Sequence, residues 1–184
     1  MKKYLIEIAK DAIKEQLTGK VLIDREALLK RYPELAREGA SFVTLNKRDK
    51  EAHLRGCIGS LVAHRPLLDD IISNAKAAAF HDPRFNPLQA DEFDHIRVEV
   101  SILTPAQRLE YHDSEDLRRK IRVGVDGIVL KLDGKQATFL PQVWEQLDDF
   151  DQFFAHLCQK AILPDRCLEL HPEIYTYQVE KIKE

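Results

Sequence analysis

Residues 41–58 have the sequence SFVTLNKRDKEAHLRGCI, in which two short runs flank a charged connection. The first run, 41–45, carries Phe, Val and Thr, which are enriched in strands. The second run, 53–58, contains Leu54 and Ile58, whose spacing of four residues places both on one face of a strand. Because the polar residues 46–51 join these runs, the stretch predicts a β-hairpin.

The second strand of this hairpin continues as LRGCIG, residues 54–59. On an extended strand Leu54 and Ile58 face one way, whereas Arg55 and Cys57 face the other. Glycines within a strand suit a place where a second backbone or a ligand approaches closely. A neighbouring arginine favours thiolate, so one interpretation is a nucleophilic, redox or anion-binding site. The alternative is that Cys57 is a small buried hydrophobe and Arg55 a structural ion-pair partner.

The rest of the chain alternates helical and strand patterns. Apolar spacing and capping residues predict helices over residues 4–13, 24–29, 66–79 and 150–161, with shorter ones beginning at 113 or 114 and at 141. Strands are predicted over 98–103, 128–132, 137–140 and 174–179, the middle two joined by Asp133-Gly134. Hairpins mixed with helices, without repeated strand-helix-strand units, predict an α+β fold with a mainly antiparallel sheet flanked by helices.

Composition narrows the class of protein. A chain of 184 residues with 44% hydrophobic content predicts a single domain over residues 1–184, or two closely packed subdomains. The formal net charge of -3 supplies no general attraction to phosphate backbones, so nucleic acid is not the expected partner. No apolar run approaches the roughly 20 residues that cross a bilayer, and charges interrupt the signal-like start, so we expect neither a membrane role nor export.

The three cysteines are Cys57, Cys158 and Cys167. Their odd number and long spacings suit neither a disulfide framework nor a paired zinc motif, so reduced thiols in a cytoplasmic protein are expected. Phosphate-loop, dinucleotide, zincin and serine-hydrolase motifs are missing from the sequence. The sequence therefore predicts no metal site and identifies no cofactor.

Two further pairs of polar residues are candidates for a binding site. Asp82 and Arg84 lie in a loop stiffened by prolines and could orient a carboxylate or phosphate; alternatively, Asp82 caps a turn and Arg84 pairs with it. Glu99 and Ser101 share one face of a predicted strand. They either line a cleft, with Glu99 as a general base, or belong to an exposed sheet face.

Several ordered motifs resemble the AMMECR domain family. They are FVTL at 42–45, LRGCIG at 54–59, DPRF at 82–85, VEVSILTP at 98–105, the glycines at 124 and 127 with Ile128, and LPQV at 140–143. The resemblance spans nearly the whole chain and implies a larger and a smaller subdomain with a cleft between them. The family pattern matches here at Arg55, Gly56, Cys57, Gly59, Asp82, Arg84 and Ser101.

The resemblance also implies partners. Bacterial and archaeal members of the family are encoded near, or fused to, Memo-like and radical-SAM proteins, as component A of the AmmeMemoRadiSam system. Our functional hypothesis is an enzyme or enzyme subunit that binds a small anionic or carbonyl-bearing metabolite. In it Cys57 is the catalytic nucleophile or a ligand-contacting thiol, and Arg55 and Arg84 orient the anion. Asp82, Glu99 and Ser101 are supporting substrate-binding groups. The alternative hypothesis is a non-catalytic adaptor that docks a protein partner.

Overall fold

Two four-stranded sheets, each with its own helices, make up the chain, and this confirms the α+β prediction. The computed structural model describes residues 2–184. The helices are α1 (Tyr4–Thr18), α2 (Arg25–Arg31), α3 (Leu67–Phe80), α4 (Ser114–Lys120) and α5 (Phe150–Lys160). The strands are β1 (Ala40–Lys47), β2 (Leu54–Gly59), β3 (Ile96–Leu103), β4 (Gln107–Leu109), β5 (Gly127–Leu132), β6 (Lys135–Phe139), β7 (Glu173–Tyr177) and β8 (Val179–Lys183).

The chain divides into two compact units. The first contains the residues up to Leu103 together with Glu180–Glu184, and its sheet has the strand order β2-β1-β3-β8. The second contains Thr104–Val179, and its sheet has the order β4-β7-β5-β6. Within residues 2–184 we find no helix with the length and apolar character that crossing a membrane requires.

The predicted hairpin of the first unit is present as β1 and β2. The strands pair antiparallel, with Thr44 opposite Cys57, and β1 also pairs antiparallel with β3, with Thr44 opposite Glu99. The register shifts between Leu45 and Asn46, where the pairing with β2 is irregular. Because β2 is the outermost strand, one of its edges has no strand neighbour in the part of the chain that the structure describes.

Helices α1 and α3 cover one face of this sheet. The apolar stripe of α1, which includes Leu5 and Ile13, is fully buried in the same cluster as Val43 of β1. Gly56 brings β2 against α3, because a Cβ atom at that position would lie 2.1 Å from the Ala78 carbonyl oxygen. The glycine is thus explained by a backbone that approaches closely, as its place in a strand predicts.

A buried carboxylate joins the ends of these elements. Asp70 of α3 accepts hydrogen bonds from the Ser41 N–H at 2.8 Å, the Ser41 hydroxyl at 2.7 Å and the Ser60 hydroxyl at 2.6 Å. Asn74 and Arg65 donate to the same carboxylate. A fully buried charge is tolerated when it is paired and hydrogen-bonded, and this network fixes the start of β1 and the end of β2 on α3.

The second unit is built around aromatic side chains. Phe153 and Phe154 of α5 are buried, and the Phe153 ring stacks on Trp144 with centroids 3.5 Å apart. The aromatic residues at helical spacing therefore form a core. The β5–β6 hairpin turns at Asp133 and Gly134, both with positive φ, as the Asp-Gly dipeptide predicts.

The expectation of reduced thiols is wrong for two of the three cysteines. Cys158 of α5 and Cys167 form a disulfide whose Cα atoms lie 5.9 Å apart. The chain turns back after α5, which brings positions nine residues apart within bridging distance. Both half-cystines are fully buried.

The C-terminal tail also differs from the prediction of one strand over residues 174–179. It forms two strands, β7 and β8, which belong to different sheets. Gln178 separates them: its N–H donates to the Thr104 hydroxyl at 2.8 Å, and its side chain donates to Asp126 at 2.9 Å. A continuous alternation in the sequence does not show this change of sheet. The segment Pro141–Glu145, predicted as a helix, is a short 3-10 helix.

Candidate functional site

The face of the first sheet opposite α3 carries the Cys57 thiol. Cys57 is half-buried and is the free cysteine of the described chain. Its Sγ lies 3.2 Å from Oγ1 of Thr44, within hydrogen-bonding distance, and either atom can be the donor. Thr44 was not a predicted site residue. The signal that could have identified Thr44 is the register of the hairpin, which places Thr44 opposite Cys57. The irregular pairing between Leu45 and Asn46 makes that register hard to predict from the sequence.

Glu99 and Ser101 lie on the same face of the sheet as Cys57. Thr44 separates Cys57 from Glu99 in one row across three strands, so Cys57 and Glu99 are about 10 Å apart at strand spacing. Glu99 is half-buried, and the Lys183 ammonium lies 3.5 Å from its carboxylate. Ser101 lies in the adjacent row and is 6% exposed. Both side chains share the face of Cys57, and within the described residues the thiol makes its side-chain contact with Thr44 rather than with either of them.

The second glycine of the LRGCIG motif, Gly59, accommodates an aromatic ring. A Cβ atom at Gly59 would lie 2.2 Å from the ring of Phe42, its partner in the register. The ring therefore lies against bare backbone. This glycine is explained by a contact within the sheet.

Asp82 and Arg84 act together on the free edge of β2. The Asp82 carboxylate accepts the Cys57 N–H at 2.9 Å, and Nη2 of Arg84 donates to the Cys57 carbonyl oxygen at 3.1 Å. The guanidinium also donates to Asp82 through Nε at 2.9 Å and Nη2 at 2.7 Å. An edge strand presents unpaired backbone groups, and this pair satisfies both groups of Cys57. We call Asp82, Arg84 and the Cys57 backbone the edge clamp.

The charges of the edge clamp stabilise each other. The hydrogen bond from Arg84 is the main cause that holds the pKa of the Asp82 carboxyl well below its usual range, and the Cys57 N–H adds to it against the effect of burial. The same bond raises the pKa of Arg84. Asp82 is buried, whereas half of the Arg84 side chain is exposed. Of the two interpretations of this loop, the structure shows the Asp82–Arg84 pair.

Arg55 is held by a carboxylate that the sequence did not identify. Its side chain is 8% exposed; Nε and Nη2 donate to Glu92 at 2.9 and 3.0 Å, and Nη2 also donates to the Asn86 carbonyl at 3.0 Å. Nη1 is buried and has no hydrogen-bond partner among residues 2–184. The bond from Arg55 is the main cause that lowers the pKa of Glu92. Glu92 also forms a capping box with Gln89 at the start of a short 3-10 helix. That local role does not predict its ion pair with Arg55, which is 37 positions away in the sequence.

The predicted residues therefore fall into three groups, of which Glu99 and Ser101 on the sheet face are one. The edge clamp brings Cys57, Asp82 and Arg84 into contact, while Arg55 is engaged nearby by Glu92. In residues 2–184 there is no group of three or more His, Cys, Asp or Glu side chains arranged to hold a metal ion.

The fold and site define an α+β protein whose free cysteine lies on a stabilised edge strand. The profile of the family described as AMMECR1 matches residues 6–182, and the chain belongs to that family. A Methanothermobacter thermautotrophicus protein is 38% identical over 96% of this chain and 90% of its own length. The Saccharolobus solfataricus protein SSO0193 is 42% identical over 90% of this chain and 73% of its own length.

A solved structure is similar throughout. The crystal structure of the uncharacterized protein PH0010 from Pyrococcus horikoshii matches with a TM-score of 0.79 and 36% identity, over 99% of this chain and 90% of that chain.

Proposed function

We propose that this protein is an enzyme or enzyme subunit that binds a small anionic or carbonyl-bearing metabolite on the sheet face carrying Cys57. The observation that carries the proposal is the edge clamp. It fixes the N–H and C=O of Cys57, a half-buried residue whose side chain lies on the sheet face away from the helices. A reactive side chain on a rigid backbone loses little entropy when a ligand binds.

Each residue has a distinct role in this proposal. Cys57 contacts the ligand through its thiol, and Thr44 orients the thiol from 3.2 Å. Arg84 is exposed enough to meet an anion while it keeps its bond to Asp82. Asp82 and Arg55 are positioning residues, because the Asp82 carboxylate and Nε and Nη2 of Arg55 are engaged inside the first unit. Glu99 and Ser101 line the same face and are supporting groups for the ligand.

A carbonyl ligand fits a simple reversible step. The Cys57 sulfur adds to the carbonyl carbon, which forms a C–S bond and converts the carbonyl to a hydroxyl. The thiol proton ends on the former carbonyl oxygen, so the step needs no oxidant or reductant. Nucleophilic cysteines form covalent adducts of this kind.

Glyoxylate, which carries both an aldehyde and a carboxylate, is a suitable probe. We expect it to raise the melting temperature of the wild-type protein and to have at most a small effect on Cys57→Ser. The control Arg37→Gln removes a guanidinium with no hydrogen bond in the described chain, and it should respond as the wild type does. An equal response from Cys57→Ser would contradict the role of the thiol.

We further propose that the protein acts in the cytoplasm with Memo-like and radical-SAM proteins. The buried disulfide is compatible with a cytoplasmic location in a hyperthermophile, where intracellular disulfides are common. In the cytosol of a mesophile such a bond is rare. One observation supports the adaptor alternative: Arg55 and Asp82 are already hydrogen-bonded to Glu92 and Arg84 of the same chain and are therefore not free to bind a ligand. Co-purification of the native complex tests the partnership. Loss of the complex in Cys57→Ser, without any ligand response in the wild type, would favour the adaptor.

A further inference from the structure

A groove of about 390 Å³ runs between α1 and the segment that leads into α2. From α1, Tyr4, Ile8 and Asp11 line it, at the i, i+4, i+7 spacing of one helix face. From the other side it is lined by Leu22 and Leu28. Because α1 covers the sheet face opposite Cys57, this groove is separate from the site proposed above.

The groove is a fixed feature of the first unit. The Glu15 carboxylate accepts the N–H groups of Leu22 and Ile23, both at 3.0 Å, and so ties the segment after α1 back onto the helix. At the other end the Tyr4 and Tyr32 rings stack with centroids 3.8 Å apart. A partner therefore meets a preformed surface.

Apolar side chains at the groove are exposed. Leu22 is 44% exposed, and its neighbour Val21 is 89% exposed. Ile8, which is buried, forms part of the floor. Adjacent exposed apolar residues beside a concave surface are typical of protein interaction sites.

The rim of the groove is acidic. Glu7, Asp11 and Asp24 line it against a single base, Arg31. In residues 2–184 no basic side chain forms an ion pair with any of the three carboxylates, although Asp24 caps α2. Asp11 is half-buried, and burial raises the pKa of its carboxyl. These carboxylates are thus available to an incoming cation.

We propose that this groove docks a basic amphipathic segment of a partner protein. An apolar side chain of the partner packs between Ile8 and Leu22, while its Lys or Arg side chains meet Glu7 and Asp11. This is the helix-in-groove mode, in which an amphipathic helix lays its apolar face into a groove. Charge complementarity selects a cationic segment over an acidic one.

A labelled Leu/Lys amphipathic peptide is the probe, and a Leu/Glu peptide of the same pattern is its control. Fluorescence anisotropy should show that the protein binds the Leu/Lys peptide and that Glu7→Gln/Asp11→Asn weakens binding at least tenfold. The matched variant Glu145→Gln/Asp148→Asn removes the same two charges at exposed positions of the second unit, and its affinity should stay within twofold of the wild type. Leu22→Ser, which keeps every charge, should also weaken binding.

Three results would overturn the proposal. Equal weakening by the two double variants would mean attraction by net charge alone. Unchanged binding in Leu22→Ser would remove the apolar contact. Self-association of the wild type in sedimentation, lost only in Glu7→Gln/Asp11→Asn, would mean that a second copy of this chain occupies the groove. Melting curves of each variant separate these results from loss of folding.

Discussion

The Asp82 carboxylate accepts a hydrogen bond from the backbone N–H of Cys57 at 2.9 Å, and this contact joins a loop after α3 to the free edge of β2. Arg84 completes it by donating to the Cys57 carbonyl and to Asp82. The candidate nucleophile is therefore fixed by residues that do not belong to its own sheet.

Replacement of Asp82 by Asn should lower stability near neutral pH. Asn keeps an acceptor for the Cys57 N–H, but the charge that pairs with Arg84 is lost, and we expect a decrease of roughly 1–3 kcal/mol in the free energy of unfolding. Urea denaturation measures it. Asp148→Asn, an exposed change in the second unit, should alter stability by less than about 0.5 kcal/mol.

The wild type and Asp82→Asn should also differ in how their stability responds to acid. The pKa of Asp82 is depressed in the folded protein, so its contribution is present above the unfolded value of about 3.9 and is lost as pH falls below it. The stability gap between wild type and Asp82→Asn should stay constant from pH 7 to about 5 and narrow below about 4. A gap that is the same at pH 3 and pH 7 would show that the charge of Asp82 contributes nothing.

The two glycines of β2 should differ in their tolerance of a methyl group. Gly56→Ala drives a Cβ into the Ala78 backbone carbonyl, so we expect a loss of at least about 2 kcal/mol. Gly59→Ala meets a movable ring, so Phe42→Ala should offset part of its cost in the double variant. Denaturant unfolding of the four variants measures both effects. Equal costs at the two glycines, without any coupling to Phe42, would contradict the packing described.

Reduction should destabilise the second unit. A crosslink between residues nine apart is worth about 2.5 kcal/mol in the chain-entropy account. The melting temperature should fall with dithiothreitol in the wild type and in Cys57→Ser, but not in Cys158→Ala/Cys167→Ala. A wild type indifferent to reductant would mean that the bond contributes no stability.

Alkaline pH should weaken a contact in the second unit. Tyr111 donates to the Pro172 carbonyl at 2.6 Å, and burial raises the pKa of Tyr111 to about 12. Because an unfolded tyrosine ionises near 10, the stability that Tyr111 contributes is present below about pH 10 and is lost between about 10 and 12. Tyr111→Phe should be less stable by about 1 kcal/mol at pH 8, and its gap to the wild type should shrink towards pH 12.

Much of this structure follows from local patterns in the sequence. The hairpin of β1 and β2 and the Asp133-Gly134 turn each depend on neighbouring residues, and the structure confirms both. The predicted alternation from Leu54 to Ile58 is wrong at one end: Leu54 pairs with Asn46 and Gly56 with Leu45, so the irregularity at this point places Leu54 on the face of Thr44 and Cys57. Long-range partners do not have such a signal. The bond from Arg55 to Glu92 spans 37 positions, and no local pattern predicts it.

The predictions that the structure corrects, reduced Cys158 and Cys167 and a single C-terminal strand, also failed because they depend on long-range contacts. Whether Cys158 meets Cys167 depends on how the chain turns after α5, which spacing alone does not show. The tail alternates without a break, yet Gln178 divides it between two sheets because its partners are distant in sequence. For the candidate site, the sequence predicts that Cys57, Asp82 and Arg84 are of interest. The contact of Thr44 with the thiol and the hydrogen bonds of the edge clamp depend on strand pairing and are seen only in the structure.

The most direct test of the account is the rate at which iodoacetamide alkylates Cys57, followed by intact-mass spectrometry at neutral pH. The account predicts that Cys57 in the native protein reacts several times faster than the same residue in the guanidinium-unfolded chain with its disulfide intact, and that Arg84→Gln, which removes the cation and its hydrogen bond to the Cys57 carbonyl, removes this advantage. A native rate equal to or below the unfolded rate, in wild type and Arg84→Gln alike, would contradict a role for Cys57 as a positioned, reactive thiol.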